Sequence, residues 1–366
     1  MRRAVHPLPC FALLLLASWA VEGQVPVVVQ TNALIRVMAA NITSGNFQRY
    51  ETPGLNIFKG LKPDVVAVQE FNYAGGAFRE MINDAFGTNF VYFREGNAGY
   101  SIPNGIISRW PILDSGSWDD VQVPDRGFAW ALLDIPGPIK LFVVSVHLHS
   151  SGGPSSRAIE AANLKALIES SPATNAFLVV AGDFNAGDRT ESCVTTMKTF
   201  LSDSPIPHDG TLSANPNSNA ARLKPYDYVL PSFTFATNQI PSVLGPRSFP
   251  NGLVFDSRVY TNLADVGPVQ AGDSAAVNMQ HMAVIKDFRV NFTVTNFVHV
   301  PRPLLTMAAT NVIRWEGLGQ LTYTVQASSS LANWDAVGTA FSDTTNFTFN
   351  IASSATNRQF FRVIYP

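Results

Sequence analysis

Short apolar runs, each closed by a polar residue, mark out most of the chain. Residues 34–40 (LIRVMAA) end in Asn41, residues 65–68 end in Gln69-Glu70, residues 141–146 end in His147, and residues 177–180 lead into Gly182-Asp183. Runs of this length, rich in β-branched residues, predict buried strands. Further strands are expected at 90–93, 105–107, 128–133, 228–230 and 282–285. Two stretches switch to a helical period. Phe78, Met81, Ile82, Ala85 and Phe86 recur at i, i+3, i+4, i+7 and i+8, and residues 156–170 put Ala161, Leu164, Leu167 and Ile168 on one side. Strands mixed with helices predict an α/β (α+β) fold. Polar strand ends gathered at one sheet edge are where sites on such scaffolds form.

The two ends of the chain read differently. Arg2 and Arg3 precede an apolar run at 11–20 (FALLLLASWA), too short to span a bilayer with ease, and small residues at Ala17, Ser18, Ala20 and Gly23 offer cleavage points. This predicts a signal peptide over 1–23 and a secreted or extracytoplasmic protein, in the periplasm or at the cell surface. Cys10 would leave with the signal, so Cys193 would have no intramolecular disulfide partner. Asp134 and Lys140 interrupt the best later apolar stretch, so no transmembrane segment is expected in the mature chain, which reads as a soluble monomer. Val300-Pro301-Arg302-Pro303 reads as a linker. Beyond it, Leu321, Tyr323 and Val325, then Phe347, Phe349 and Ile351, then Phe361, Val363 and Tyr365 alternate with polar residues. Period two over this length predicts a small all-β domain at 299–366, following a larger domain at 24–298. Trp315 and Trp334 are expected in its core.

Composition narrows the function. Only 14% of the 366 residues are charged, 46% are hydrophobic, and 25 Lys+Arg against 27 Asp+Glu leave a net charge of −2. Losing two positive charges and one negative with the signal would take it to −3. Disordered chains, coiled coils and collagen-like rods are excluded. So is a globally basic nucleic-acid binder: a polyanion must be held by a local patch or a metal.

The polar strand ends form a series in chain order: Asn41, Glu70, His147, Asp183-Phe184-Asn185, Asp227 and His281. A phosphodiester is an anion, and attack on it needs its charge neutralised. A hard cation such as Mg²⁺ does this through oxygen ligands, and Glu70 is the natural first ligand. A carboxylate such as Asp183, or an Asp–His pair, can orient and deprotonate water. Imidazoles at His147 and His281 and the amide of Asn185 can donate to the phosphoryl oxygens or the leaving group. His149 competes with His147, since alternation puts both on one face; position in the strand favours His147.

These segments carry a resemblance. Residues 63–70 (PDVVAVQE), 104–112 (NGIISRWPI), 144–148 (VSVHL), 182–185 (GDFN), 226–230 (YDYVL) and 281–284 (HMAV) resemble, in order, the motifs of the endonuclease/exonuclease/phosphatase superfamily, which includes deoxyribonuclease I, abasic-site endonucleases, bacterial sphingomyelinases and inositol polyphosphate phosphatases. Gly182-Asp183-Phe184-Asn185 is the most specific of them. The resemblance runs from about residue 35 to 288 and implies a four-layer α-β-β-α sandwich of two packed mixed sheets. It implies that Glu70 binds Mg²⁺ (or Mn²⁺) with Asn41 beside it. Asp183 would position or deprotonate water, Asn185 contact the phosphate, His147 stabilise the pentacovalent phosphorus, and Asp227 orient His281. One position departs from the pattern. The family's Asp before the last His is Gln280 here, a poorer ligand for a hard cation. Three readings follow: one metal held mainly by Glu70, another acid such as Asp273 filling in, or lost activity in a binding protein of the same shape.

The expectation is thus a secreted, metal-dependent phosphodiester hydrolase, nuclease-like, with nucleic acid as partner. A sphingomyelinase-like lipid phosphodiesterase acting on phospholipid, or a phosphatase, is the alternative within the class. The apolar residues of 233–255 could form a membrane-facing hairpin or an ordinary packed loop, and the second is the expectation. A surface adhesion protein, suggested by the C-terminal segment and Gln280, is the alternative of another class.

Overall fold

The computed structural model describes residues 23–45, 48–73, 75–96, 99–171, 175–300, 303–309, 311–351 and 359–365. All of the expected signal peptide but Gly23, and residues 301–302 of the expected linker, lie outside them. The chain forms two compact units: Gln30–Phe292, and a second made of Thr293 onward with the chain up to Val29.

In the larger unit the elements run β1 (Gly23–Ala40), α1 (Thr52–Leu61), β2 (Val65–Val68), α2 (Phe78–Ala85), β3 (Val91–Arg94), β4 (Gly105–Ser108), β5 (Ile112–Asp119), β6 (Gly127–Leu133), β7 (Leu141–His147), α3 (Gly153–Glu169), β8 (Phe177–Asp183), α4 (Ser192–Met197), β9 (Asp227–Pro231), α5 (Phe233–Ala236), β10 (Gln239–Ile240), β11 (Ser242–Leu244), β12 (Arg247–Phe249), β13 (Leu253–Phe255) and β14 (Ala283–Val300), β1 and β14 running on past its bounds. One sheet has the order β10-β14-β1-β2-β4-β3, with β13 also on β14; the other has the order β5-β6-β7-β8-β9. Each is mixed: β1 and β2 are parallel, as are β7 and β8, while β2–β4 and β8–β9 are antiparallel.

Side-chain alternation sorts the core into layers. Val37, Ala39, Val65, Ala67 and Ile106 of the first sheet meet Ala129, Val143, Val179, Ala181 and Val229 of the second. The other face of the first sheet, with Val66 and Val68, packs on Ile57, Phe58 and Leu61 of α1 and Met81 and Ile82 of α2. The other face of the second, with Val144, Val146 and Val180, packs on Ala161 and Leu164 of α3 and Val194 and Met197 of α4. This is an α-β-β-α sandwich. Each fully buried large apolar side chain contributes about 2–3 kcal/mol relative to exposure.

The expected strands and both expected helices form, the second helix starting at Gly153 with Pro154 in its first turn. Helix α1 was not legible, because Pro53, Gly54 and Gly60 all weigh against a helix. Pro53 sits harmlessly in the first turn, and Lys62, left-handed at φ 50°, closes the last turn by donating its N–H to the Phe58 carbonyl. Gly60 is needed there, since a Cβ would lie 2.3 Å from the Val266 carbonyl oxygen. In 233–255, Phe235, Leu244, Phe249 and Leu253 are buried, so this segment is packed, although Phe233 and Val243 are exposed. No helix among the described residues is long and apolar enough to cross a membrane.

The second unit carries β15 (Thr306–Ala309), β16 (Val312–Glu316), β17 (Thr322–Ser328), β18 (Asp335–Phe341), β19 (Asn346–Asn350) and β20 (Phe360–Ile364). They form two three-stranded antiparallel sheets, β15-β16-β19 and β18-β17-β20, around Ile313, Trp315, Tyr323, Val325, Phe347, Phe361 and Val363. Trp315 is buried there and stacks on Phe347 at 5.5 Å between centroids. Trp334 departs from expectation. It is only half-buried, and its ring lies under the Arg362 guanidinium at 4.5 Å. Arg362 is in register with Gln326 and donates to its side chain, so the indole caps a polar sheet face instead of entering the core.

At Gly182, φ is +138° and an added Cβ would lie 2.2 Å from the Val146 carbonyl oxygen and 2.5 Å from Gln69 Nε2. Gly182→Ala is expected to cost about 3 kcal/mol or more of folding stability, from backbone strain and overpacking together. A denaturant titration showing less than about 1 kcal/mol, the scale of an ordinary substitution, would contradict this close packing.

Candidate functional site

Sheet register assembles half of the site. His147 is paired with Asp183 across β7–β8, and Asp183 with Asp227 across β8–β9. All three share the side-chain parity of Val143, Ala181 and Val229, the inter-sheet face, at the edge where that core ends. The facing sheet supplies Asn41 just past β1 and Glu70 two residues past β2. The Tyr50 hydroxyl lies 2.5 Å from the Ala40 carbonyl oxygen and 3.1 Å from that of Gln69, which spaces these two strand ends. Gln69 Nε2 donates to Ser145 Oγ (2.9 Å), which donates to the Val68 carbonyl (2.9 Å), tying one sheet to the other beneath the site.

Two turns break alternation. Glu70 would by parity share the outer face of Val66 and Val68, but its φ of +50° reverses the backbone and brings its carboxylate to the site. Asn185 is likewise left-handed at φ +49°, and its N–H donates to Asp183 Oδ1 at 2.8 Å.

The contacts are dense. Asn41 Nδ2 donates to Asp183 Oδ2 (3.1 Å) and Glu70 Oε1 (3.4 Å) and lies 3.3 Å from His281 Nε2. Glu70 also accepts from Thr43 Oγ1 (2.5 Å) and Gln48 Nε2 (3.0 Å). Asn185 Nδ2 donates to Asp183 Oδ2 (3.1 Å) and the Leu148 carbonyl (2.9 Å). His147 Nε2 is 3.3 Å and His281 Nε2 3.4 Å from Asp183 Oδ2. His281 Nδ1 donates to Asp227 Oδ2 at 3.0 Å, and Ser218 Oγ donates to the same oxygen at 2.7 Å. Tyr226 lies beside the His281 ring, with centroids 5.5 Å apart.

Burial and neighbouring charge set the protonation states. Burial opposes charge on His281, but Asp227 and Asp183 outweigh it and hold the imidazolium up to about 10. Burial, with Arg126 and His281 nearby, pushes His147 well below its ordinary value, so it is neutral. Burial raises Asp183 to about 6 and also raises Glu70, against the Thr43 hydrogen bond.

The structure thus brings together Asn41, Glu70, His147, Asp183, Asn185, Asp227 and His281. His149 is outside this group: its ring lies 3.0 Å from Ser156 Oγ and 3.1 Å from Ser151 Oγ, because β7 ends at His147 and the chain turns away. Gln280 is exposed, and among the described residues its one hydrogen bond is from the Ala220 N–H to its backbone carbonyl, so its amide is not drawn into the cluster. Asp273 accepts from Asn56 Nδ2 and the Gln270 N–H instead, against α1. Sequence reading missed Thr43, Gln48, Tyr50 and Ser218, which lie in no motif, and Ser145, which sits inside residues 144–148 but was given no role. It also missed a brace behind His147. Arg126 donates to the carbonyls of His147 (2.6 Å) and Leu148 (3.3 Å), and Glu160 of α3 takes the His149 N–H on both oxygens at 3.0 Å.

The donor set fits a hard divalent cation. Asn41 Oδ1 is buried without a hydrogen-bond partner among the described residues, while the amide nitrogen of the same side chain contacts Glu70 Oε1. Asp183, Asp227 and His281 also offer ligand atoms within 4.8 Å of one another. His281 is held as an imidazolium with Nδ1 donating to Asp227, so it has no lone pair to offer a cation, and the oxygens of Asn41 and Glu70 are the better donors.

An α-β-β-α sandwich with buried acids, amides and imidazoles at one edge, and oxygen donors suited to a hard cation, defines a metal-dependent phosphoester hydrolase. Residues 33–248 match the Endonuclease/Exonuclease/phosphatase family, and the chain belongs to that family of phosphoric ester hydrolases. Comparison with curated proteins gives no match. Among solved structures, the chain is similar to the human Nocturnin catalytic domain with bound sulfate (14% identity, 74% of this chain and 98% of that one, TM-score 0.49). It is also similar to an endonuclease/exonuclease/phosphatase from Beutenbergia cavernae (14%, 88% and 94%, 0.44). A third is the Neisseria 3′ phosphatase NExo bound to a product DNA hairpin (16%, 69% and 99%, 0.45).

Burial and then the neighbouring Asp120 push Glu160 up to about 8, so the two acids share a proton. A carboxyl raised in the fold adds stability that is complete below its ordinary value near 4.5 and is lost as pH rises through 8. Glu160→Gln keeps an acceptor for His149 and a donor for Asp120 without the titration. Melting temperatures of the variant should fall less than the parent's between pH 5 and 8; parallel curves would show that no such proton is held.

Proposed function

We propose that the protein is an exported, Mg²⁺-dependent phosphodiester hydrolase acting on nucleic acid. The observation that carries this reading is the Asp183 carboxylate set between two imidazoles, with the Asn41 amide nitrogen donating both to it and to Glu70 Oε1 across the sheet edge. Asn41 and Glu70 would hold Mg²⁺ (or Mn²⁺), which would neutralise phosphoryl charge. Asp183, its Oδ1 fixed by the Asn185 N–H, orients the attacking water in line with the leaving oxygen and takes its proton. His281, kept charged by Asp227, donates to the phosphoryl group and its leaving oxygen. Neutral His147 and the Asn185 amide stabilise the equatorial oxygens as charge develops. Gln280, exposed at the rim, supports a centre with one cation. Nucleic acid is favoured over a lipid because most of the apolar side chains of 233–255 that a membrane-facing hairpin would expose are buried. The N-terminal apolar run supports export, which would fail if mature protein recovered from the producing cell still began at Met1.

Plasmid DNA and bis(p-nitrophenyl) phosphate should both be hydrolysed with Mg²⁺ and not with excess chelator; chelator-insensitive or absent turnover on both sinks the reading. Asp183→Asn should lose about 10³-fold or more in kcat, the scale of a lost general base. His281→Ala and Asp227→Asn should lose similar amounts to each other, because they act as a unit. Strongly unequal losses would break the pairing. Gln280→Asp should leave the metal titration of activity unchanged, because the side chain is exposed and outside the cluster, and an altered titration would bring this position to the cation site.

A further inference from the structure

A cavity of about 580 Å³ opens beside the site, lined by Gln48, Arg49, Asn72, Tyr73, Phe78, Arg94, Ser101 and Ile102. It is continuous with the chemistry through two residues. Gln48 Nε2 donates to Glu70 Oε1 at 3.0 Å, and Asn72 follows Glu70 by two positions, its N–H donating to the Glu70 carbonyl at 2.5 Å. The charged side chains on the cavity wall are two guanidiniums, with no carboxylate among the lining residues.

Arg94 is fixed. Nε donates to the Phe71 carbonyl (2.6 Å), Nη1 to the Glu95 carbonyl (3.3 Å) and Nη2 to Asn72 Oδ1 (3.0 Å), and the guanidinium lies 4.6 Å from the Phe78 ring centre. A guanidinium carries five N–H donors, so this bracing leaves it able to donate further while holding its charge at the wall. Arg49 is exposed at the cavity, and its backbone carbonyl is anchored by the Ser44 N–H at 3.0 Å. Tyr73 adds an aromatic face. A concave, positively charged chamber of this size, one residue from a metal-side carboxylate, suits a compact anionic unit.

Resting on the phosphodiester hydrolase reading, we propose that this cavity is a subsite for a second phosphoryl group of a nucleotide substrate, held by Arg49 and Arg94 while the scissile phosphate sits between Glu70 and Asp183. The enzyme then selects substrates whose next phosphate lies about one sugar away, and a phosphodiester with neutral arms gains nothing from the chamber. Arg49 acts on binding and specificity, not on the reacting atoms.

The test is a calorimetric titration, in Mg²⁺, of thymidine 3′,5′-bisphosphate and thymidine 5′-monophosphate into the full chain and into Arg49→Gln. The parent should bind the bisphosphate about ten-fold or more tighter, the scale of one charge-assisted contact. Arg49→Gln should lose most of that preference. Equal affinities in the parent, or an unchanged preference in the variant, overturn the subsite. Hydrolysis of bis(p-nitrophenyl) phosphate, which has neutral arms, should be the same in parent and variant. A selective fall in the variant would place Arg49 in the chemistry and overturn its assignment to the subsite. Absence of turnover on both plasmid DNA and this diester in the parent defeats the hydrolase reading alone, since the titration still decides the subsite.

Discussion

Two carboxylates forced side by side at a buried sheet edge set the terms for the rest of the molecule. The β8–β9 register pairs Asp183 with Asp227 directly, and both are nearly inaccessible to water. Like charges opposite one another in a sheet repel, and a buried charge without a partner costs several kcal/mol. The fold answers with an imidazolium. His281, between them, reaches Asp227 through Nδ1 and Asp183 through Nε2. Ser218 adds a hydroxyl to the Asp227 side, and Asn41 and Asn185 add amides to the Asp183 side. What is left on Asp183 is a carboxylate whose proton affinity burial has raised to about 6. That makes it a better base for water than an ordinary aspartate while leaving it ionised at neutral pH.

Such a cluster is unfavourable in itself, and so is the backbone that delivers it. Glu70 is a non-glycine residue in the left-handed region, a state costing on the order of 1–3 kcal/mol, and Asn185 is another, where the side chain eases the cost. Strain of this kind persists only where the surroundings over-determine it. Here they do. The layers of apolar packing fix the strands, the Tyr50 hydroxyl fixes the spacing of the β1 and β2 ends, and the Gln69–Ser145–Val68 chain fixes one sheet against the other. The interior spends its stability at the edge, which is why substitution of a residue as small as Gly182, next to Asp183 in β8, strikes at the site's geometry.

The half of this that sequence reveals is the half carried by strands. An apolar run ending in Asn, Glu, His or Asp shows both the strand and the chemistry at its end, because period and polarity are local properties. That is how Asn41, Glu70, His147 and Asp183 could be named together. What closes the site is not local. Ser218 sits in a stretch of Asn, Pro and Ser that reads only as turn, and nothing in it signals that its hydroxyl will meet Asp227. Thr43 and Gln48 lie between elements and owe their roles to the reversal at Glu70, which no pattern of polarity encodes, and Tyr50 owes its role to two backbone carbonyls that no side-chain pattern marks. His147 and His149 were indistinguishable by alternation, and only the end of β7 separates them. Trp334 shows the converse error: an aromatic residue near alternating strands suggests core, yet a cation on the outer face offered its ring an equally good partner.

Net charge sharpens the question of how a polyanion is held. At −2 overall, the chain as a whole does not attract a nucleic acid, and attraction at long range is weak. In the proposed reading affinity comes from short range: a cation at Asn41 and Glu70, the imidazolium of His281, and guanidiniums on the wall beyond Gln48. Elsewhere the arginines are largely spent inside the fold, Arg36 on Asp287, Arg157 on Glu191, Arg189 on Asp203, and Arg222 and Arg258 on Asp256. Positive charge that is neutralised in internal pairs stabilises loops but adds little to the outside field. A surface built this way would bind a polyanion through few, close, well-placed contacts, and on the proposed reading its selectivity would follow which substrate groups fit beside the scissile bond and not the length of the polymer.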